Sequence, residues 1–143
     1  MAPTPDEFLE AGWIILDPIL KKHGFRWAPE GSGHGSGGNF VIGAYIRDTR
    51  RLELHFRFSL GLVSYSFGDQ RVSHVDYMRV ADGPNRRRAY PGFSQDPLDG
   101  FRHLAEDLAE YATAFLSGTD EELAAVIETA TEAARVAEKR RLP

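Results

Sequence analysis

The sequence contains no cysteine, and this absence excludes several kinds of site. Among its 143 residues there is no thiol to form a disulfide, attack a substrate or hold zinc or an iron–sulfur cluster. Long apolar runs are also missing, since the longest, Leu123 to Ile127, is far short of the roughly 20 residues that span a bilayer. The first residues are not basic and lead into no apolar leader segment. We therefore expect a bacterial-type cytoplasmic protein that does not contact a membrane.

The net charge of the whole chain is small, but the charged residues are unevenly distributed along it. The chain carries −4, with 42% apolar and 27% charged residues, which is ordinary for a globular protein. Its length predicts a single domain over residues 1–143. Residues 40–95 carry +4 and residues 96–143 carry −6. Such segments either form surfaces that steer partners or attract each other inside one domain.

The N-terminal segment has the pattern of a helix over about residues 5–23. Thr4 and Glu7 form a capping box at its start, and apolar residues then recur at helical spacing. Pro18 is expected to kink or restart the helix. Gly24, which follows two lysines and a histidine, is typical of a helix C-terminus.

A glycine-rich stretch over residues 28–39 predicts a flexible loop. After it the hydrophobic period changes from 3.6 to 2, which is typical of strands. Placing Ile46 opposite Leu52 and Phe56 opposite Tyr65 puts apolar residues on one shared face, as an antiparallel meander requires. The predicted strands cover about residues 40–47, 51–60, 62–67 and 71–80.

A second loop is predicted over residues 81–95, followed by helices over about 97–117 and 120–139. Each helix has an apolar stripe, and Thr119 with Glu122 forms a capping box at the start of the second. The predicted fold is therefore α+β and two-layered. It has an N-terminal helix, a four-stranded antiparallel meander, and two C-terminal helices packed on one sheet face.

The other face of the sheet is the first candidate site. With residues 71–80 as a strand, it carries His55, Arg57, His74 and Asp76. Two imidazoles and a carboxylate could bind a metal or share a proton, and an arginine beside them could hold an anionic group. The plain alternative is a solvated face, because antiparallel sheets commonly wet one side. No metal site and no cofactor are predicted.

The acidic helices are the second candidate. Glu106, Asp107 and Glu110 are predicted to lie on an exposed face that could bind a basic protein partner. The alternative is again a solvated surface. The run Arg86–Arg88 could bind phosphate, but the acidic chain and the lack of interleaved aromatic residues disfavour nucleic acid.

The stretch from Pro18 to Phe25, Pro-Ile-Leu-Lys-Lys-His-Gly-Phe, is followed by a strand meander and two helices. In this layout the chain resembles small bacterial domains of unknown function. Some of those domains are grouped with the immunity proteins of polymorphic toxin systems. The resemblance implies toxin binding and assigns no catalytic residue.

Three hypotheses remain open from the sequence. The first is a non-enzymatic binding protein that captures a protein partner, such as a toxin, through its acidic helices. The second is a small ligand- or metal-binding domain or enzyme that uses the open sheet face, with the glycine-rich loop as a lid. The third is an adaptor similar to secretion chaperones, for which we expect a stable homodimer.

Overall fold

A computed structural model describes residues 5–35, 38–56, 60–81 and 98–141, and they form helices and one antiparallel sheet. The sheet has five strands in the order β1-β2-β3-β4-β5. The α+β class is confirmed, with five strands where four were predicted. The elements are α1 (Pro5–Lys22), β1 (Arg26–Gly35), β2 (Gly38–Arg47), β3 (Arg50–Phe56), β4 (Leu60–Phe67), β5 (Gln70–Ser73), α2 (His74–Ala81), α3 (Asp99–Tyr111), α4 (Thr113–Leu116) and α5 (Asp120–Arg141).

Helix α1 ends as the sequence predicted. Gly24 has a φ of +87°, and the N–H of Phe25 donates to the carbonyl of Leu20 at 3.0 Å. This bond spans the glycine and satisfies a terminal carbonyl, as in a Schellman motif. The helix continues through Pro18, where a kink or restart was expected.

The prediction of a loop over residues 28–39 was wrong, because most of this segment is strand β1. Trp27 lies opposite Tyr45, and the pairing with β2 continues to Gly35 with one register break between Pro29 and Gly31. Composition misled the prediction. Strand pairing needs only backbone N–H and C=O groups, which glycine supplies as well as any other residue.

The predicted β2–β3 register was wrong by one residue. Tyr45, and not Ile46, lies opposite Leu52. The hairpin turn has only two residues, and Asp48 adopts a φ of +54° there, a left-handed conformation that aspartate tolerates. Since a one-residue slip exchanges the faces of a strand, the core side of β2 carries Val41 and Tyr45.

The next two registers also differ from the prediction. Tyr65 lies opposite Leu52, and not opposite Phe56, so the predicted face of β4 is right but its pairing is shifted. At the following turn, Ser64 pairs with Ser73 and not with His74.

The predicted fourth strand over 71–80 was also wrong, since only its first residues are extended. Strand β5 ends at Ser73 and α2 begins at once. The N–H of Asp76 donates to Ser73 Oγ at 3.1 Å, which makes Ser73 the helix cap. The spacing Ser73-x-x-Asp76 is itself a capping signal, and it overlaps the alternating pattern that predicted a strand.

The C-terminal helices lie close to their predicted positions. The predicted helix 97–117 is broken at Ala112, whose backbone leaves the helical region, so α3 and α4 are separate. The capping box of α5 is confirmed, because the N–H of Glu122 donates to Thr119 Oγ1 at 3.1 Å and Glu122 Oε1 accepts from the N–H of Thr119 at 3.3 Å. Beyond Ala130, no described side chain of α5 is fully buried.

The core lies between the helices and one face of the sheet. Phe101 of α3 stacks on Phe56 with ring centroids 5.7 Å apart, and Tyr65 of β4 contacts both Tyr77 of α2 and Phe115 of α4. Leu16 of α1 and Ile127 of α5 belong to the same buried cluster. Within the described ranges, none of the helices combines the length and apolarity that crossing a bilayer requires. The polar side chains of β3 and β4 lie on the opposite face of the sheet, which the described helices do not cover.

Candidate functional site

A cluster of polar side chains on this second sheet face centres on Glu53. Its Oε1 lies 3.0 Å from Arg71 Nη2 and 3.2 Å from His55 Nε2, and its Oε2 lies 3.3 Å from Arg51 Nη2. Arg51 also pairs with Glu30 from the neighbouring part of the sheet. We call these five residues the Glu53 cluster.

The electrostatics of the Glu53 cluster favour a charged carboxylate. Partial burial of Glu53 alone would raise its pKa, but the hydrogen bonds with His55 and Arg51 and the charges of Arg71 and His55 together hold the pKa below its ordinary value. The pKa of Arg51 is raised, chiefly by its hydrogen bond to Glu30. The cluster is therefore internally paired, with His55 at its partly exposed margin.

The four residues of the predicted ligand site are not brought together. His55 lies on the open face in the Glu53 cluster, and Arg57 lies outside the described residues. His74 is in α2 and is only 2% exposed, on the core side of the sheet. Asp76 lies near the start of α2, where it pairs with Arg79 at 3.2 Å.

His74 instead forms part of a buried network. Its Nδ1 lies 2.7 Å from the hydroxyl of Tyr65, and its Nε2 lies 2.8 Å from Asp107 Oδ2. All three residues are at most 2% exposed, so a substrate cannot reach them. The network joins β4, α2 and α3, which is a structural role. Its hydrogen bonds satisfy polar groups that would otherwise be costly to bury.

The predicted partner-binding residues also divide between surface and core. Glu106 and Glu110 are exposed on α3, whereas Asp107 points inward to His74. The capping box at Thr119 and the apolar stripes were enough to locate the helices. They did not show that Asp107 turns inward, because its partner His74 was predicted to lie in a strand. The outward acids of α5 include Glu121, Glu128 and Glu138, which are exposed and have no ion-pair partner among the described residues.

Two arginines of the strands are used inside the molecule. Arg50 is 5% exposed and donates to the carbonyls of Ala114, Phe115 and Gly118 and to Asp120, at 2.8–3.1 Å.

Arg47 donates to the carbonyls of His23 and Leu116 at 2.6 and 2.8 Å. Together these two arginines satisfy carbonyls at the ends of α1 and α4, where the helix dipole favours a cation. They are therefore not available as a positive surface.

A groove of about 390 Å³ lies between the edge strand β5 and α5. Gln70 and Arg71 line one side, and Ile127, Glu128 and Thr131 are among the residues of the other. These residues were not predicted as a site, because the predicted edge strand extended to residue 80. No sequence signal ties β5 to α5.

No group of three histidine, aspartate or glutamate side chains that could hold a metal occurs within residues 5–35, 38–56, 60–81 and 98–141. The run Arg86–Arg88 lies outside these ranges. Comparison with known proteins adds nothing, since no protein-family model, no curated protein and no solved structure gives a significant match to this chain.

Proposed function

We propose that this protein is a non-enzymatic binding module that captures a basic protein partner through its helical side. The observation that carries the proposal is the set of exposed α5 carboxylates, Glu121, Glu128 and Glu138, that have no ion-pair partner among the described residues. An uncompensated negative surface attracts a cationic protein and speeds its association.

The cations of the sheet do not neutralise this surface. Among the described strand arginines, Arg50 alone pairs with a described helical carboxylate, at Asp120. Arg51 and Arg71 pair within the Glu53 cluster, and Arg47 binds carbonyls. Residues 120–132 of α5 carry five acidic residues and no basic one, and the basic residues of the helix follow from Arg135 onward. The negative charge of this first part of α5 therefore stays available for a partner. A toxin with a cationic active site is the kind of partner that an immunity-type protein of the bacterial cytoplasm would bind.

The experiment is affinity capture of the tagged protein from its own cells at low and high salt, followed by association kinetics with the captured partner. Reversing two charges with Glu121→Lys and Glu138→Lys should slow association and flatten its salt dependence. Glu10→Lys, an exposed site on α1, is the control for a charge change elsewhere. Equal effects at the control site would contradict the proposal.

The Glu53 cluster supports a second candidate, a ligand site on the open sheet face. The contact of His55 with Glu53 could support proton transfer, and two adjacent arginines could hold an anionic group. Melting temperatures in the presence of small anions test this function. A ligand that stabilises the protein equally after His55→Ala and Arg71→Ala would exclude it.

A further inference from the structure

The two edges of the sheet differ in whether another strand can join them. At the β1 edge, Pro29 has no N–H to donate, and the register breaks between Pro29 and Gly31. Strand β5, Gln70–Ser73, contains no proline and pairs with β4 without a break. Two features that hinder strand addition, a proline and a register break, are therefore present at the β1 edge and absent from β5.

The backbone of β5 has groups directed away from the sheet. Phe67 and Gln70 close a two-residue turn, and residues in this position exchange hydrogen bonds with each other. Since hydrogen-bonded and non-hydrogen-bonded pairs alternate along an antiparallel ladder, the N–H and C=O of Arg71 point away from β4. They face the side on which a further strand would lie.

The charges of the groove define the chemistry of its occupant. Arg71 is paired with Glu53 at 3.0 Å, and Arg135 is paired with Glu132. Glu128 is exposed and has no ion-pair partner among the described residues. Two arginines and two glutamates line the groove, and of these four only Glu128 has no ion-pair partner among the described residues. Ile127, which is 1% exposed, lies at the apolar base of the groove.

We propose that the groove between β5 and α5 binds an extended basic segment of a protein partner, which adds to the β5 edge and places a lysine or arginine against Glu128. Main-chain hydrogen bonds to Arg71 supply affinity, and the ion pair with Glu128 supplies selectivity. This inference rests on the proposed function, since it names the segment that the binding module recognises.

The probe is a labelled eight-residue peptide of alternating threonine and valine with one central lysine, added to the isotope-labelled full chain. We expect amide shifts confined to Gln70–Ser73 and to the α5 residues near Glu128. The same peptide with glutamate in place of lysine should bind more weakly. A peptide N-methylated on its pairing edge should not bind, because it cannot donate to the β5 backbone.

Two pairs of variants separate the contribution of the ion pair with Glu128 from that of the main-chain hydrogen bonds to Arg71. Glu128→Gln should weaken binding of the lysine peptide by roughly twofold to fivefold, the size of an exposed ion pair, and Glu10→Gln, at an exposed site on α1, should leave it unchanged. Arg71→Pro should abolish binding, whereas Arg71→Ala keeps the backbone N–H and retains binding. If Arg71→Pro also disturbs the fold, the N-methylated peptide still tests the same hydrogen bonds.

The proposal is overturned if the peptide shifts amides in other regions, or if Glu10→Gln and Glu128→Gln have equal effects. It is also overturned if the chain forms a dimer that Arg71→Pro dissociates, since the occupant is then a second copy. Capture of a partner that depends on Glu121 and Glu138 but ignores Arg71→Pro would leave the proposed function intact and refute the groove. Peptide binding without any captured basic partner would support the groove and contradict the proposed function.

Discussion

His55 and His74 each contact a carboxylate, yet they lie on opposite sides of the sheet. His55 lies 3.2 Å from Glu53 on the open face and is one-third exposed, whereas His74 lies 2.8 Å from Asp107 in the core and is 2% exposed. The same pair of residue types can therefore belong to a surface cluster or to the frame of the fold. Burial decides which, because water competes for the hydrogen bonds of the first pair and not of the second.

The largest expected effect comes from the buried pair. His74→Ala should lower the free energy of unfolding by about 3–5 kcal/mol, because it removes a hydrogen bond from the buried carboxylate of Asp107 and leaves a cavity. His55→Ala, the matched change on the open face, should cost less than about 1 kcal/mol. Urea denaturation of both variants measures the difference, and similar losses would contradict the comparison.

Arginines allow the same comparison with a smaller expected difference. Arg50→Met should lower the free energy of unfolding by about 2–4 kcal/mol, since the carbonyls of α4 and Gly118 lose a buried charged donor. Arg51→Met, on the open face, should lower it by less than about 1 kcal/mol. Thermal unfolding monitored by circular dichroism checks both. A large decrease in the free energy of unfolding for Arg51→Met would show that the open face also stabilises the fold.

Glycines test the packing on the core side. A Cβ at Gly43 would lie 2.3 Å from the ring of Trp27, whereas a Cβ at Gly31 meets nothing within 4 Å. Gly43→Ala should therefore cost about 1–3 kcal/mol through overpacking, and Gly31→Ala should be close to neutral. Melting temperatures of the two variants give the comparison. Equal values would mean that Trp27 moves away freely.

The smallest expected effect is a pH dependence of the Glu53 cluster. Because the pKa of Glu53 is lowered in the folded protein, its charged form stabilises the fold above the ordinary value of 4.5, and this contribution is lost as the pH falls through the folded pKa. Glu53→Gln should remove this part of the acid sensitivity, less than about 1 kcal/mol for partly exposed groups. Unfolding measured from pH 6 to pH 3 tests it. An unchanged pH profile would contradict the role of Glu53.

The sequence predicted the elements better than their pairing. Helix ends marked by Gly24 and Thr119 were located because capping chemistry is local. The registers were missed because the conformation of one residue, Asp48, decides the hairpin, and both faces of β2 are apolar enough to fit either choice. The candidate site depended on reading residues 71–80 as one strand, and helix α2, which begins at His74, places that side chain in the core.

The way α5 extends past the core has a consequence for amide hydrogen exchange. Ala130 is the last buried residue among the described side chains of α5, and the helix continues to Arg141. The amides after Ala130 are therefore expected to exchange by local fraying, while those around Leu123 and Ile127 exchange only when the packed layer opens. Within one helix the protection should fall steeply at a single turn, and a partner bound beyond that turn would be seen as protection gained there alone.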